Sequence, residues 1–236
     1  MSSPDSHDIT KVLDHGYVRM LGSLGSDIDV VNAARVSYDK EVLEFSDKDS
    51  SLLSYLIKHK HDSTLRHCAI SFEIYAPLMV ARQWYKHAVA STHLDDQLGW
   101  NESSRRYVTE EPQYYVPEAW RMAPENKKQG SAGFASPELS RKFTDRLEWH
   151  IKECQAIYDS MLSLGVAPEQ ARLFLPAYSL YVRWRWTASL NALLHFMSLR
   201  NASDAQYEIR EYSNAVTEFV KTLYPQTVAA WEEHRG

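Results

Sequence analysis

From Leu180 to Thr187 the chain alternates strictly: Leu180, Val182, Trp184 and Trp186 are apolar, whereas Tyr181, Arg183, Arg185 and Thr187 carry polar or charged groups. A two-residue period sends alternate side chains to opposite faces of an extended strand, and a slip of one residue would turn both tryptophans to water. The segment therefore specifies a strand with one buried face and one basic face, with the tryptophans read as core. A second alternating run, Cys68, Ile70, Phe72 and Ile74, reads as another half-buried strand. Strands of this kind need a layer of helices over their apolar face.

The rest of the chain supplies those helices. Residues 1–10 are polar and expected to be flexible, with order beginning near Lys11, and KVLDHGYVRMLGSLG reads as a strand or hairpin ending at Gly25. Ser26 and Asp29 stand at capping-box spacing for a helix ending near Ser37, and Leu52, Leu53, Leu56 and Ile57 mark a second. Pro77 suits the first turn of a helix through LMVARQWYKHAVA, on which Arg82 and Lys86 share one face and Gln83 and His87 another. Residues 108–135 show no period and read as an irregular surface excursion, the most mobile part of the chain. Ser136 and Pro137 then open a long helix that Gly165 terminates, and Pro168 begins a short turn of helix carrying Arg172. NALLHFMSLR returns to helical spacing and delivers Arg200 at its end. Ser203 and Gln206 predict a capping box for a helix to about Leu223, and Pro225 opens a terminal one. The expected architecture is α+β, a single domain over residues 1–236 with helices packed on a small, mainly antiparallel sheet of about three strands. No βαβ phosphate fingerprint is present, which argues against a dinucleotide-binding fold of that type.

Charge and composition narrow the function. A formal net charge of −5 and a pI near 6.1 oppose a protein that grips nucleic acid over a broad face. No run of about eighteen apolar residues predicts a membrane span. Cys68, placed within the apolar strand, and Cys154 are too few for a zinc site and read as reduced thiols, which suits a cytoplasmic protein. Seven Trp and fourteen Tyr either fill a core or stack on planar ligands.

Against that acidic background the basic residues Arg82, Lys86, Arg105, Arg106, Arg172 and Arg200 fall at or near the ends of elements, where a cation can reach a phosphate. Any one of them alone reads better as a solvated or salt-bridged surface charge. The grouping of Asn101, Ser103, Ser104, Arg105 and Arg106 favours a phosphate site. Ser104 lacks a G-x-S-x-G setting and a recognisable acid and base, so it is read as a hydrogen-bond donor and not a nucleophile. His93, Asp95 and Asp96 match no metal-ligand spacing, and no metal is expected. His61, His67, His87 and His195 each read as a satisfied side chain or a site residue, with His87 favoured by its neighbours.

APLMVARQWYKHAVAS followed by NESSRRY resembles the signature of the flavin-dependent thymidylate synthases, an R-H-R triplet and then S-x-N-E-x-S-x-R-Y. Lys86-His87-Ala88 stand for R-H-R, Asn101-Glu102 for N-E, Ser104 for the serine and Arg106-Tyr107 for R-Y. NAARVSY, KHKHDSTLRH, GVAPEQAR and HFMSLRNASDAQYEI extend the likeness along most of the chain. Two departures stand out: Lys86 and Ala88 replace arginines, and a longer spacer, Thr92 to Trp100, precedes Asn101.

The resemblance implies a fold of the thymidylate synthase-complementing-protein type. It implies dUMP contacts from Gln83, Lys86, Glu102, Ser104, Arg105, Arg106, Arg172 and Arg200, and FAD contacts from Ser37, Ser63, His87, Glu102, Ser189, Asn191 and His195. It further implies methylation of dUMP to dTMP with methylenetetrahydrofolate and NADPH as co-substrates, no cysteine nucleophile, and homotetramers whose active sites are shared between subunits. Arg200 is the candidate for stabilising negative charge on the pyrimidine as C5 becomes nucleophilic. Two alternatives remain open on the residues: a flavin and folate enzyme acting on dCMP or installing hydroxymethyl, and a non-catalytic nucleotide- or RNA-binding protein.

Overall fold

The computed structural model describes residues 9–88, 99–103, 111–125 and 130–235. Strand β1 (Ile9–Val12) turns into β2 (Gly16–Leu24). Gly16 stands in this hairpin because a Cβ there would meet the Tyr212 hydroxyl at 1.8 Å. At the far end of β2, Gly25 adopts φ 76°, and its missing side chain leaves room for the Cys68 sulfur. Helix α1 (Asp27–Arg35) carries the Ser26/Asp29 capping box, and a 3-10 turn, Val36–Tyr38, extends it. Helix α2 (Asp47–Lys58) has its own box from Ser46 and Asp49. After the 3-10 turn Thr64–His67 comes β3 (Ala69–Pro77), with Cys68 buried one residue ahead of it. Pro77 is the last residue of the strand, paired with Tyr181, and helix α3 (Leu78–Ala88) follows at once.

Beyond α3 lie β4 (Gly99–Glu102) and a two-stranded ribbon of β5 (Arg121–Met122) and β6 (Ala132–Phe134). Helix α4 (Pro137–Ser163) is capped by Ser136, whose Oγ accepts from the Leu139 N–H, and Gly165 follows its end at φ 85°. The short α5 (Pro168–Ala171) and a 3-10 turn, Arg172–Phe174, lead into β7 (Tyr181–Ser189), followed by α6 (Leu190–Arg200), α7 (Tyr207–Leu223) and α8 (Pro225–Arg235). The expected capping box from Ser203 does not form. Gln206 occupies the N-cap position, and its side chain is drawn instead to Gln83 and Glu208.

The sheet has five strands in the order β1-β2-β3-β7-β4, antiparallel throughout, two more strands than the alternating runs alone announce. The Trp184 and Trp186 side chains are buried, in register with Ile74 and Phe72 of β3. Trp84 of α3 meets Trp184 and Trp186 edge-on at 5.5 and 5.4 Å and stacks on Phe196 of α6 at 4.6 Å. These rings bury a large apolar area each and lock α3 and α6 onto one face of the sheet. The opposite face carries Arg19, Glu73 and Arg185, where Arg19 pairs with Glu73 at 2.8 Å. Tyr181 departs from the polar pattern: it is buried, because its hydroxyl donates to Asp14 at 2.5 Å. Among the described residues no helix is long and apolar enough to cross a membrane.

Candidate active site

Helix α3 supplies the first wall of the site. Its leading amides are satisfied by neighbouring chain, Leu78 N–H donating to Leu180 O at 2.9 Å and Met79 N–H to Tyr178 O at 3.2 Å, which fixes the helix against the entry to β7. Val80, Ala81, Trp84 and His87 face the core, one turn after another. Met79, Gln83 and Lys86 consequently face a cavity of about 800 Å³, whose lining includes Tyr115, Arg121, Tyr178, Arg200, Tyr207 and Glu208. This volume suits a nucleotide. Arg82, four residues from Lys86, is outside that lining and lies near Glu102 of β4. Loss of water around the Glu102 carboxyl raises it from its ordinary value, against the pull of a hydrogen bond from Trp100 and the Arg82 charge, although the residue as a whole still reaches solvent.

Helix α6 supplies the second wall. Ser189 accepts from the Ala192 N–H at 3.3 Å and so caps the helix, while buried Leu193, Phe196 and Met197 anchor its length. Arg200 emerges at the C-terminal end, where its Nε donates to Nε2 of His87 at 2.9 Å. Burial, with the neighbouring Arg200 and His195, pulls the His87 imidazole down to about 4, and desolvation lowers Arg200. His87 is therefore neutral near pH 7.

The floor of the cavity carries no motif that the sequence displays. Glu208, 2% exposed in the first turn of α7, meets Arg121 and also accepts from Tyr115 Oη at 3.2 Å and Gln206 Nε2 at 2.8 Å. Desolvation alone would raise its carboxyl, but the hydrogen bonds from Arg121 and Gln206 outweigh this and hold it below its ordinary value. Gln206 in turn accepts from Gln83 Nε2 at 2.5 Å. A carboxylate only accepts, so the chain from Glu208 through Gln206 sets which way the Gln83 amide points and leaves its oxygen for a donor on the ligand. Tyr115 and Arg121 belong to the stretch read as an irregular excursion. Its described part is tied down by Tyr115 N–H to Ser179 O at 2.8 Å and Tyr181 N–H to Gln113 O at 2.9 Å. The one available signal for Glu208 is an acidic residue inside AQYEI.

A trough on other elements gathers the remaining expected residues. Ser37 and Ser63 line a cavity of about 1100 Å³ together with Lys40, Lys60, Arg66, Tyr55 and His61. Asn191 and His195 line an adjoining one of about 540 Å³, which shares Lys60 and Asp62 with the first. Asp39 and Lys60, beside and within this lining, adopt left-handed backbone at φ 53° and 59°, a cost that ordinary loops avoid. The His87 and His195 rings lie 5.9 Å apart, so His87 joins the trough to the nucleotide-sized cavity. Thus Gln83, Lys86 and Arg200 converge on one cavity, and Ser37, Ser63, Asn191 and His195 on the trough. Ser189 has its hydroxyl engaged in the cap. Arg172 is exposed and lines neither cavity, with Leu173 and Phe174 exposed beside it. Ser104, Arg105, Arg106 and the His93, Asp95, Asp96 group lie outside the described residues. Among those described, no three His, Cys, Asp or Glu converge as a metal site.

Residues 19–226 match the family model of the thymidylate synthase complementing protein. The chain is 39% identical over 223 residues to a flavin-dependent thymidylate synthase of Thermus thermophilus, covering 94% of this chain and 78% of that one. It is 34% identical over 221 residues to the enzyme of the same description from Thermosipho africanus, covering 94% and 92%. Among solved structures it is similar to the UMP/dUMP methylase PolB of Streptomyces cacaoi bound with 5-Br dUMP, at a TM-score of 0.79 and 27% identity over 95% of this chain and 97% of that one. With the family model matched over residues 19–226 and relatives 34% and 39% identical over 94% of its length, this chain belongs to the flavin-dependent thymidylate synthases.

Proposed function

We propose that this protein catalyses reductive methylation of dUMP to dTMP, with methylenetetrahydrofolate as carbon donor, FAD as hydride carrier and NADPH as its reductant, in the cytoplasm and as a homotetramer with shared sites. The observation that carries the reading is the position of Arg200: a desolvated guanidinium on the wall of a nucleotide-sized cavity, one histidine away from a cation-lined trough.

The trough suits FAD on its donor set. Lys40, Lys60 and Arg66 with the Ser37 and Ser63 hydroxyls offer charge-assisted bonds to a pyrophosphate, and Tyr55 and His61 offer flat faces. Arg66 and Lys60 supply positive charge that Ala88 does not. Asn191 and His195 would hold the adjoining part of the cofactor. Bound FAD supplies the hydride chemistry, which the protein's own side chains lack.

The chain's residues do the rest. Lys86, with Arg105 and Arg106 of the NESSRRY segment and the Ser104 hydroxyl, binds the nucleotide phosphate. Gln83, held by Gln206, accepts from an N–H or O–H of the nucleotide. Arg200 stabilises the negative charge that builds on the pyrimidine as C5 attacks the one-carbon unit, and it does so in a site where desolvation strengthens the interaction. No thiolate is required: burial and the nearby Asp29 and Asp27 push the Cys68 thiol up to about 12. Two unpaired, buried thiols also suit a reducing compartment. The shared-site reading rests on Arg172, which is flanked by exposed Leu173 and Phe174 and is available to another subunit.

The test is product analysis with dUMP, UMP and dCMP in turn, each with methylenetetrahydrofolate, FAD and NADPH. Formation of dTMP from dUMP is expected, with a flavin absorbance band on the purified protein. A hydroxymethyl product, or turnover of dCMP in preference to dUMP, would replace this reading.

A further inference from the structure

We infer that His87 is the positioning residue of Arg200, an uncharged hydrogen-bond acceptor that aims the guanidinium into the nucleotide cavity without neutralising it. The inference rests on the role proposed above for Arg200 and goes beyond it, because the family resemblance would make His87 a flavin contact only.

Three other partly buried arginines sit on carboxylates, whereas Arg210 donates to the Ser203 carbonyl at 3.0 Å. Arg19 lies on Glu73 at 2.8 Å, Arg35 on Asp49 at 2.5 Å and Arg121 on Glu208. Each of these carboxylates is buried or nearly so, and each cancels the charge it holds. Arg200 has no such partner among the described residues. Its Nε donates at 2.9 Å to the imidazole Nε2 of His87, which is 4% exposed. An imidazole accepts only through an unprotonated nitrogen, so His87 carries its proton on Nδ1 and holds Arg200 while leaving the full positive charge unpaired.

The histidine is itself held rigidly. Its ring meets Phe196 edge-on at 5.0 Å, and Phe196 stacks on Trp84 in the core. His87 and Arg200 come from different helices, α3 and α6, both locked to the sheet by the same aromatic cluster. Using Nε for the histidine leaves the two terminal nitrogens of Arg200 as an end-on fork toward the ligand, a geometry that a lysine could not reproduce. A group that must stabilise transient charge works best when its orientation is set before the reaction.

The test is a double-mutant cycle on turnover at saturating dUMP, with flavin affinity measured on every variant by absorbance titration. His87→Leu should lower kcat by about 10- to 100-fold, the loss of one hydrogen bond to a charged group, with little change in dUMP KM. His87→Gln, whose Oε1 can accept from Arg200, should recover most of that loss. The double variant His87→Leu/Arg200→Ala should turn over no more slowly than Arg200→Ala alone. Losses that multiply in the double variant would overturn the inference, as would a defect of His87→Leu that excess FAD abolishes. If the leucine variant does not fold, His87→Met against His87→Gln provides the same contrast, and equal losses in both would count against positioning. An Arg200→Ala enzyme with unchanged kcat would instead remove the role proposed for Arg200, and this inference with it.

Discussion

The guanidinium of Arg121 closes on the buried carboxylate of Glu208 and so ties the β5–β6 ribbon to the first turn of α7. The pair sits beneath Gln206 and Gln83, so one ionic contact both seals the edge of the nucleotide cavity and sets the orientation of a side chain in its wall.

Glu208→Ala should therefore do two separable things. Removing one partner of a buried pair leaves Arg121 and Tyr115 without their acceptor, at a cost of about 2–4 kcal/mol, read as a lower denaturation midpoint. Freed from Glu208, Gln206 and Gln83 lose their fixed orientation, and the dUMP KM should rise by about tenfold, the equivalent of one net hydrogen bond. Glu208→Gln retains shape and should be milder in stability than in KM. A KM identical to the parent in both variants would disconnect this network from nucleotide binding.

Acid should act through His87. The unfolded imidazole titrates near 6.5 and the folded one near 4, so in that window the unfolded chain binds more protons. Stability should fall as pH drops from about 6.5 to about 4, by on the order of 3 kcal/mol in total. The charges facing this ring are those of Arg200 and His195, and both oppose its protonation. Thermal midpoints of the parent and of His87→Gln across this range provide the check: the parent should lose its margin over the variant toward pH 4. Parallel curves would place the acid sensitivity elsewhere.

How much of this was legible in the sequence follows from the range of each interaction. The alternation at 180–187 announced β7 because a strand's two faces are written in adjacent residues, and the capping box at Ser26 and the helix starts at Pro137, Pro168 and Pro225 were equally local, whereas Pro77 ends a strand. The box expected at Ser203 failed because Gln206 has partners 123 residues away in α3, a pull that no local spacing displays. Tyr115 and Arg121 carry no local signal for the same reason: their segment has no period, and what holds them is the contact with Glu208. The face of α3 was half legible. Helical spacing pairs Arg82 with Lys86, yet Lys86 joins Gln83 in the cavity while Arg82 turns toward Glu102, a division set by where β4 lies.

The cysteines allow a direct test of the chemistry. Cys68 is buried with its thiol pushed up to about 12, and Cys154 is buried on α4, the helix that also buries Tyr158. Cys68 cannot furnish a thiolate at neutral pH without large cost, and Cys154 lines neither the nucleotide cavity nor the trough. The Cys68→Ser/Cys154→Ser double variant should keep kcat within about twofold of the parent while losing about 1–2 kcal/mol of stability, since two buried sulfurs give way to hydroxyls. Loss of turnover in a double variant that still folds and binds flavin would require a nucleophilic sulfur.

Arg172 offers the sharpest test of how the site is assembled. It lies on the 3-10 turn after α5, lines neither the nucleotide cavity nor the trough of its own chain, and is followed by Leu173 and Phe174, which are 80% and 46% exposed. Exposed apolar side chains beside a cation fit a surface that is covered when subunits assemble, and on the shared-site reading proposed above this would deliver the guanidinium to a neighbouring subunit's nucleotide. Arg172→Ala and Arg200→Ala should each lower turnover by at least about tenfold as homo-oligomers, the loss of one charge-assisted contact. Subunits of the two variants, dissociated, mixed and reassembled, should then recover activity, because a site built from an intact Arg200 in one chain and an intact Arg172 in another becomes possible. If both residues served the same site from one chain, every site in the mixture would still lack one of them. Activity in the reassembled mixture equal to the mean of the two variants would thus place Arg172 and Arg200 together within a single subunit.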